Sequence, residues 1–532
     1  MVKRLINAQI NSITLAAALV AVSSLISRVL GIFRDRILAG EFGAGDTLDV
    51  YFAAFRVPDM VYNLIVLGAL SAGFIPIFTE LLQKKDAKSC EVIQKGSHVV
   101  AWEFTNNLVN LLLIVLVGLS VVGLIFMPYL MKIIAPGFSA EKLSETIGLA
   151  RIMLLSPIIL GISGVAGGVL QSFKRFFVFS LSPIMYNVGI IIGALFFVPV
   201  WGVYGLAYGV VFGACLHLFI QLPAIFALGF RYRIYINLSS NKIRKIGRLM
   251  IPRLMSLGVV QINLLVITVI ASILPSGSLS IFNLANNLAF FPIGIFGISF
   301  AVAAFPALSS YATNNELFIR TFSKTFRNIL FFIVPSTVVL MTLKAQIVRV
   351  ILGTGNFDWS DTILTLEVLE FFAISLFAQA TVPLLARMFF ALKDSKTPFF
   401  VGLGSAILNV FLSYYFSRKM GVAGLALAFS LASIFNFIFL WILLRVKAGY
   451  LDEGRILASV IKFSAAAVGC GIVIQFSKGL VVDYVDMDKL WGVLVQGGIA
   501  SVFGLLAYLL LCYIFRSKEL FHFFNVILRR FN

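Results

Sequence analysis

Fourteen long apolar runs divide this chain of 532 residues, and no other feature constrains its fold as strongly. Each run reaches the 20 or so residues that a helix needs to cross a bilayer. Charged residues make up 12% of the chain, about half of their usual share in soluble proteins. The chain is therefore predicted to be an all-α polytopic membrane protein. The predicted spans are 12–37, 50–82, 99–128, 146–171, 178–199, 202–228, 245–274, 278–311, 322–343, 362–392, 397–417, 421–446, 456–477 and 489–515.

Lysines and arginines are distributed unevenly among the connections between these spans. Alternate connections form two sets, and one set carries roughly three times as many basic residues as the other. Because cytoplasmic loops are enriched in basic residues, the richer set is predicted to lie inside, together with both termini. The charged segment SRVLGIFRDR (27–36) then runs towards the outer face. Topology and contact with anionic lipid account for the net charge of +19, and no nucleic-acid partner is predicted.

Short motifs recur six spans apart in the chain. GVYGLA (202–207) opens span six, and GVAGLA (421–426) opens span twelve. Because six is even, the two halves have the same orientation, which predicts two six-helix lobes related by a pseudo-two-fold axis along the membrane normal. The predicted domains are an N-terminal lobe over 1–228, a C-terminal lobe over 229–447 and two additional helices over 448–532.

Charged residues inside or at the ends of predicted spans are the candidate site. They are Arg28, Arg34, Asp35, Asp49, Arg56 and Arg253. An arginine in a membrane span costs at least about 2.5–3.5 kcal/mol, so it is retained where it faces protein or water. The arginines outnumber the carboxylates, and this surplus predicts a cleft that binds an anion. A diphosphate suits the planar guanidinium fork. The alternative is an internal Arg28–Asp35 clamp, because these residues are almost eclipsed on a helical wheel, with Arg34 and Arg36 extending to the interface.

No catalytic or metal-ligating constellation accompanies these charges. The three histidines are isolated and the four cysteines are far apart, without the spacing of a zinc site. No Walker motif is present, so nucleotide hydrolysis is not expected. The sequence predicts a transporter rather than an enzyme, without cofactor or metal. Glu367 and Glu370 in span ten are candidates for a proton or cation site, with capping of the span as the alternative.

Several motifs together resemble one family. SRVLGIFRDRILAGEFGAGDTLDVYFAAFRVPD (27–59) resembles the signature of the MviN/MurJ family of lipid II flippases, and LGALSAGFIPIFTELL (67–82), APGF (135–138) and ALKDSKTP (391–398) also match. The resemblance implies the fold of the multidrug/oligosaccharidyl-lipid/polysaccharide exporter superfamily, with a lipid-tail groove formed by the last two helices. It further implies export of lipid II across the cytoplasmic membrane for peptidoglycan synthesis, with the cell-wall synthesis machinery as a further partner.

The resemblance also implies roles for individual positions. Arg28, Arg34 and Asp35 match essential residues of the family's first helix. Asp49 matches an aspartate at the end of the first loop, and Arg56 matches a basic position at the start of span two. The three arginines are expected to bind the diphosphate of the substrate. The two aspartates are expected to orient those arginines or to gate the outer mouth of the cleft.

The chain departs from the family pattern where other members carry charges. Many members have two arginines and a glutamate in span two, and an Asp-Arg pair in span eight. The residues at those positions here are Tyr62, Asn63, Leu67 and Asn286-Asn287. The ionic grip on the headgroup is therefore expected to be weaker, or to be rebuilt from other residues such as Arg253.

Three rival functions stay open at this point. The missing cations allow a flippase for another polyprenyl-diphosphate-linked glycan, such as an O-antigen unit. A cation-coupled drug exporter of the same superfamily would need acidic cavity residues, whereas the charges here are mostly basic. A non-transporting scaffold of the cell-wall machinery would need no substrate site.

Overall fold

The computed structural model describes residues 13–68, 73–83 and 93–521, and these residues form helices joined by short connections. None of the described residues lies in a strand, so the prediction of an all-α fold is confirmed. By their internal contacts the residues divide into two compact units. Unit 1 comprises Met1–Glu41 and Gly45–Ser276, and unit 2 comprises Phe42–Ala44 and Gly277–Asn532.

Unit 1 is built from helices whose apolar faces meet in its interior. Two of its spans contain π-helical segments, Tyr62–Leu67 and Gly193–Phe197. Its α-helices are α1 (Ile13–Phe42), α2 (Asp46–Ala54), α3 (Arg56–Val61), α4 (Ile75–Gln83), α5 (Ile93–Ile134), α6 (Ala140–Met153), α7 (Leu155–Ser172), α8 (Phe176–Ile192), α9 (Val198–Trp201), α10 (Tyr204–Phe219), α11 (Leu222–Ala227) and α12 (Asn241–Ile273).

Unit 2 is built in the same way, and its span eight also contains a π-helical segment, Ile293–Ile298. Its α-helices are α13 (Ser278–Pro292), α14 (Ser299–Ser310), α15 (Asn315–Thr342), α16 (Lys344–Ile351), α17 (Trp359–Ile374), α18 (Leu376–Ala391), α19 (Lys396–Ala448), α20 (Glu453–Val482) and α21 (Leu490–Ile514). The motif ALKDSKTP starts α19, because Asp394 Oδ1 accepts hydrogen bonds from the backbone N–H groups of Lys396 and Thr397.

The described helices confirm a polytopic membrane protein but do not confirm fourteen spans. Eleven helices are long and apolar enough to cross a bilayer, and the pair α17 and α18, bent by 44°, gives a twelfth if it is one span. Helix α1 coincides with the predicted first span but is not among them. Helix α19 covers two predicted spans, which meet at the non-helical residue Gly421. The count of fourteen stays a prediction, as does the inner location of the termini, which lie outside the described residues.

The predicted internal repeat is visible in the backbone. Residues with positive φ recur 219 or 220 positions apart, as the pairs Lys174 and Lys393, Gly202 and Gly421, and Gly229 and Gly449. At Gly202 and Gly421 the angles are nearly equal, with φ of 58° and ψ of −145° and −136°. Residues other than glycine rarely adopt this backbone conformation, which explains why both GVYGLA and GVAGLA begin with glycine.

Contacts separate the units at Ser276, after α12, whereas the predicted lobe boundary lies at residue 228. The predicted boundaries follow the repeat, and they stay a prediction.

Three asparagines on α5 hold the segment 231–237, which joins α11 to α12. Asn106, Asn107 and Asn110 are each at most 5% exposed. Their amide groups bond over 2.8–3.2 Å to backbone atoms of Arg231, Arg233, Tyr235 and Asn237. We call these three side chains the asparagine ladder. They satisfy six backbone groups of a segment that has no regular secondary structure to pair them.

Candidate functional site

Arg34 and Asp35 form an ion pair at the centre of the candidate site in unit 1. Arg34 Nη2 lies 2.7 Å and Nε 3.0 Å from Asp35 Oδ1, and Nη1 donates to Asn187 Oδ1 over 3.3 Å. Asp35 is 4% exposed, whereas the Arg34 side chain is 22% exposed. Three of the five guanidinium N–H groups are thus engaged within the protein. One N–H on each terminal nitrogen is left, and both groups remain to donate to phosphate oxygens.

Asn187 fixes the position of the Arg34 guanidinium. Its Nδ2 group donates to the backbone oxygens of Ser27 and Pro183 over 3.3 and 3.2 Å, and the residue is 8% exposed. These bonds orient the amide so that its oxygen faces Arg34. Helix α8 therefore positions a side chain of α1 through the amide of Asn187.

Arg56 is held from a different helix. Its Nε group donates to Thr268 Oγ1 over 2.7 Å, and the Thr268 hydroxyl donates onwards to the backbone oxygen of Leu264 over 2.9 Å. Thr268 is fully buried. Asp59 is half-buried and interacts electrostatically with both Arg56 and Arg34. Arg34, Asp35, Arg56 and Asp59 thus form one charged cluster within unit 1.

The remaining two predicted cations differ in their surroundings. Arg28 is half-buried and follows Ser27, the residue that Asn187 contacts. The described ion-pair partner of Asp35 is Arg34, and pairing of Asp35 with Arg28 stays a prediction. Arg253 is exposed and precedes Thr268 by fifteen residues on α12. At 1.5 Å per residue the two positions are about 22 Å apart along the helix, so the structure does not place Arg253 beside Arg56.

Asp49 lies in a second polar cluster, near the predicted outer end of unit 1. Lys142 Nζ is 3.1 Å from Asp49 Oδ2 and 2.6 Å from Asp46 Oδ1, and it lies 4.1 Å from the centre of the Phe138 ring. Asp49 is 3% exposed. Its described ion-pair partner is therefore a lysine of α6. Its predicted gating role would act through this lysine.

The five positions where other family members carry charges are neutral here, and all of them except the exposed Leu67 are partly buried. Tyr62 packs against a hydrophobic cluster of unit 1, and Asn63 is half-buried beside it in the π-helical segment. Asn286 and Asn287 are half-buried in α13 of unit 2. Within unit 1 the basic character of the candidate site therefore rests on the arginines of α1 and α3.

Comparison with known proteins identifies the family. The model of a family described as "Lipid II flippase MurJ" matches residues 38–494. The chain belongs to the MurJ family. A "Probable lipid II flippase MurJ" of Thermotoga maritima is 31% identical over 455 residues, which cover 85% of this chain and 88% of that protein. The protein of the same description from Buchnera aphidicola subsp. Schizaphis graminum is 30% identical over 432 residues, covering 79% and 81%.

Solved structures support the MurJ-family fold. A "Lipid II flippase MurJ, inward closed conformation" superposes with a TM-score of 0.74 at 24% identity, covering 94% of this chain and 98% of that one. An inward-facing multidrug resistance MATE transporter gives a TM-score of 0.64 at 16% identity, covering 81% and 96%. Both likenesses concern the fold, which is thus shared by flippases and drug exporters.

The structure adds site residues of this MurJ-family chain that sequence reasoning missed. Asn187 and Thr268 bond to Arg34 and Arg56, Lys142 contacts Asp49, and Asp59 interacts electrostatically with both arginines. Asp59 lies within the signature segment, so its charge was a signal that could have been used. Asn187 and Thr268 lie in largely apolar spans, and the local sequence does not indicate which distant side chain each one contacts.

Glu367 and Glu370 do not converge with other carboxylates. Both are exposed on α17, and Glu370 forms an ion pair with Lys344. Among the described residues no three His, Cys, Asp or Glu side chains come together as a metal site would require. The structure therefore does not support these glutamates as a proton or cation site, and that role stays a prediction.

Proposed function

We propose that this chain moves lipid II from the inner to the outer leaflet of the cytoplasmic membrane, acting as a transporter and not as an enzyme. Membership of the MurJ family supports the substrate, since the relatives are described as lipid II flippases. The observation that carries the proposal is the charged cluster of unit 1. Arg34 is held by a carboxylate and an amide while one N–H on each terminal nitrogen remains for a ligand.

The arrangement suits a diphosphate because the arginines are positioned before the substrate binds. Asp35 and Asn187 fix Arg34, and Thr268 fixes Arg56, so little side-chain entropy is lost on binding. Arg28, Arg34 and Arg56 exceed Asp35 and Asp59 by one positive charge, and the diphosphate would add about two negative charges. The bound state then carries about one negative charge instead of the two of the free diphosphate, which lowers the cost of moving the headgroup through the membrane.

Transport is proposed to follow alternating access, with the headgroup bound at this cluster and the lipid tail in the bilayer. The membrane potential is negative inside, and each charge that crosses is worth about 2.3 kcal/mol per 100 mV. Two negative charges moving outwards would gain about 4.6 kcal/mol if they crossed without compensation. The potential alone could therefore drive export, without nucleotide hydrolysis in this chain.

Orientation and partners follow from the same proposal. Both termini face the cytoplasm, as the loop charges predict, and the last two helices border the lipid tail. The lobes span 1–228 and 229–447, with the additional helices over 448–532. Membrane lipids and the cell-wall synthesis machinery are the proposed partners besides the substrate.

Complementation tests the function. A strain depleted of its own lipid II flippase should grow when it produces the wild-type chain, and should not grow with Arg34→Ala. Arg34→Lys should restore growth only in part, because an ammonium group cannot form the bidentate bond. Arg36→Ala, a change in the same helix, is the matched control and should sustain growth.

The outcomes separate the rival functions. Failure of the wild-type chain, with normal amounts in the membrane, would favour a flippase for another polyprenyl-diphosphate-linked glycan. Growth with Arg34→Ala at the wild-type rate would show that Arg34 has no role in transport.

A further inference from the structure

A basic cavity lies within unit 2. Its volume is about 610 Å³, and its walls come from α15, from α20 and from the residues that follow α21. Six basic side chains line it, namely Arg320, Lys324, Arg327, Arg455, Lys462 and Lys518. Two carboxylates, Asp452 and Glu519, accompany them. The volume falls within the range of small-molecule sites.

Both carboxylates are already engaged within the protein. Glu519 is 6% exposed and binds Arg327, while Ser459 and Ser517 donate to its two oxygens over 3.1 and 2.9 Å. These bonds join the three chain segments that form the cavity. They leave Glu519 little capacity to neutralise further cations.

Asp452 is engaged in a similar way. Its Oδ2 atom accepts a hydrogen bond from Ser323 Oγ over 2.6 Å, and its Oδ1 atom lies 3.7 Å from Arg455 Nε. The other four cations, Arg320, Lys324, Lys462 and Lys518, form no ion pair with the acidic residues that the structure describes. The cavity therefore presents four positive charges without a counter-charge from the described part of the protein.

Inner loops are generally rich in basic residues, which accounts for the large number of cations at these helix ends. It does not account for their arrangement around a cavity. Side chains of like charge repel one another, so their convergence is costly unless an anion occupies the space between them. From Arg320 to Asn328 the lining extends about 12 Å along α15.

We propose that this cavity is a second binding site for the diphosphate of a polyprenyl-linked lipid in the inner leaflet. The assignment to this lipid class rests on the proposed function. Four uncompensated cations from three segments match a group with two adjacent phosphates better than the single phosphate of a bulk phospholipid. The substrate would be held here, at the predicted inner ends of α15 and α20, before it reaches the arginines of unit 1.

A local measurement on the full-length chain in detergent tests the site. Ala458 lines the cavity and is exposed, so alkylation of the thiol in Ala458→Cys reports occupancy. Mass spectrometry of the modified peptide separates this thiol from the four native cysteines. Farnesyl diphosphate, a short polyprenyl diphosphate, is the probe, and it should slow alkylation.

Removal of two cations should weaken this protection. In the Ala458→Cys background, the double change Lys324→Gln and Lys462→Gln should raise the half-protecting concentration about tenfold or more, because bonds to charged groups contribute strongly to binding. Lys324→Arg keeps the charge and should protect like the parent. Arg248→Gln removes an exposed cation on the same predicted side of the membrane and should also leave protection unchanged.

Three results would overturn the proposal. The first is no protection by farnesyl diphosphate, and the second is equal protection in the doubly substituted chain. The third is equal protection by farnesyl monophosphate or by phosphatidylglycerol added in the same detergent, which would assign the cavity to ordinary phospholipid. Protection that persists in Arg34→Gln, combined with failed complementation by the wild-type chain, would separate this site from the proposed function.

Discussion

The asparagine ladder gives the sharpest structural prediction, because one side chain holds both backbone groups of one residue. Asn107 Nδ2 donates to the Asn237 carbonyl over 2.9 Å, and Asn107 Oδ1 accepts from the Asn237 N–H over 2.8 Å. Asn107→Leu nearly preserves the volume of the side chain and removes both bonds. We expect the segment 231–237 to detach locally while the helices of unit 1 remain folded.

The magnitude follows from the two lost bonds. Each is worth about 0.5–1.5 kcal/mol net, which gives about 1–3 kcal/mol for the pair. Water can reach the freed backbone groups, since the side chains around them are exposed, up to 82% at Ile234. The lower half of that range is therefore expected. A loss of about 1–2 kcal/mol raises the population of the detached segment roughly 5–30-fold.

Trypsin measures this population, because Arg231 and Arg233 are exposed cleavage sites within the segment. In inverted membrane vesicles, cleavage at these sites should be about 5–30-fold faster in Asn107→Leu than in the wild type, in the regime where closing outpaces cleavage. Asn436→Leu removes an asparagine of α19 and is the control for a general loss of stability. Equal cleavage rates in Asn107→Leu and the wild type would refute the role of the ladder.

Three further predictions concern individual contacts. Thr268→Val should lower the free energy of unfolding in an SDS titration by about 1–2 kcal/mol, because the lost hydroxyl accepts a hydrogen bond from a charged group. A double-mutant cycle with Arg56→Leu should show coupling between the two residues, and additive effects would disprove this contact. A cysteine at Arg244 should resist an impermeant thiol reagent in intact cells and react in inverted vesicles, since it belongs to the basic, inner set of connections; labelling from outside would reverse the topology. Burial alone would raise the pKa of Asp394. Hydrogen bonds from Lys447 and from the start of α19 outweigh that effect and lower the pKa to about 2. The pair should therefore stabilise the protein fully above about pH 5 and lose that effect as the pH falls towards 2. Lys447→Met should reduce the loss of thermal stability between about pH 5 and pH 3. The difference should be about 1 kcal/mol at most, because Lys447 is 41% exposed.

Periodicity and composition were sufficient to predict the class of fold. The positions of the apolar runs locate the helices because the bilayer imposes a minimum length on each span. The repeat was also readable, since GVYGLA and GVAGLA require glycine at the same backbone conformation. These features depend on residues that are close together in the sequence.

The contacts within the site were less predictable. A helical wheel predicts that Arg28 lies over Asp35, and that pairing stays a prediction. It did not predict the bond from Arg34, whose long side chain folds back to the carboxylate of its neighbour Asp35. The bond from Arg56 to Thr268 joins residues 212 positions apart. Such pairs depend on how distant helices pack, and the hydrophobic pattern of a single span contains no information about them.

The proposal that the arginines of unit 1 move a diphosphate lipid is tested most directly in proteoliposomes. Fluorescent lipid II is placed in the leaflet that corresponds to the cytoplasmic side, and its appearance in the opposite leaflet is measured with and without an imposed potential. The wild-type chain should transport the lipid, faster with a potential that is negative on the starting side, and Arg34→Ala should not transport it. Transport by Arg34→Ala at the wild-type rate would contradict the account.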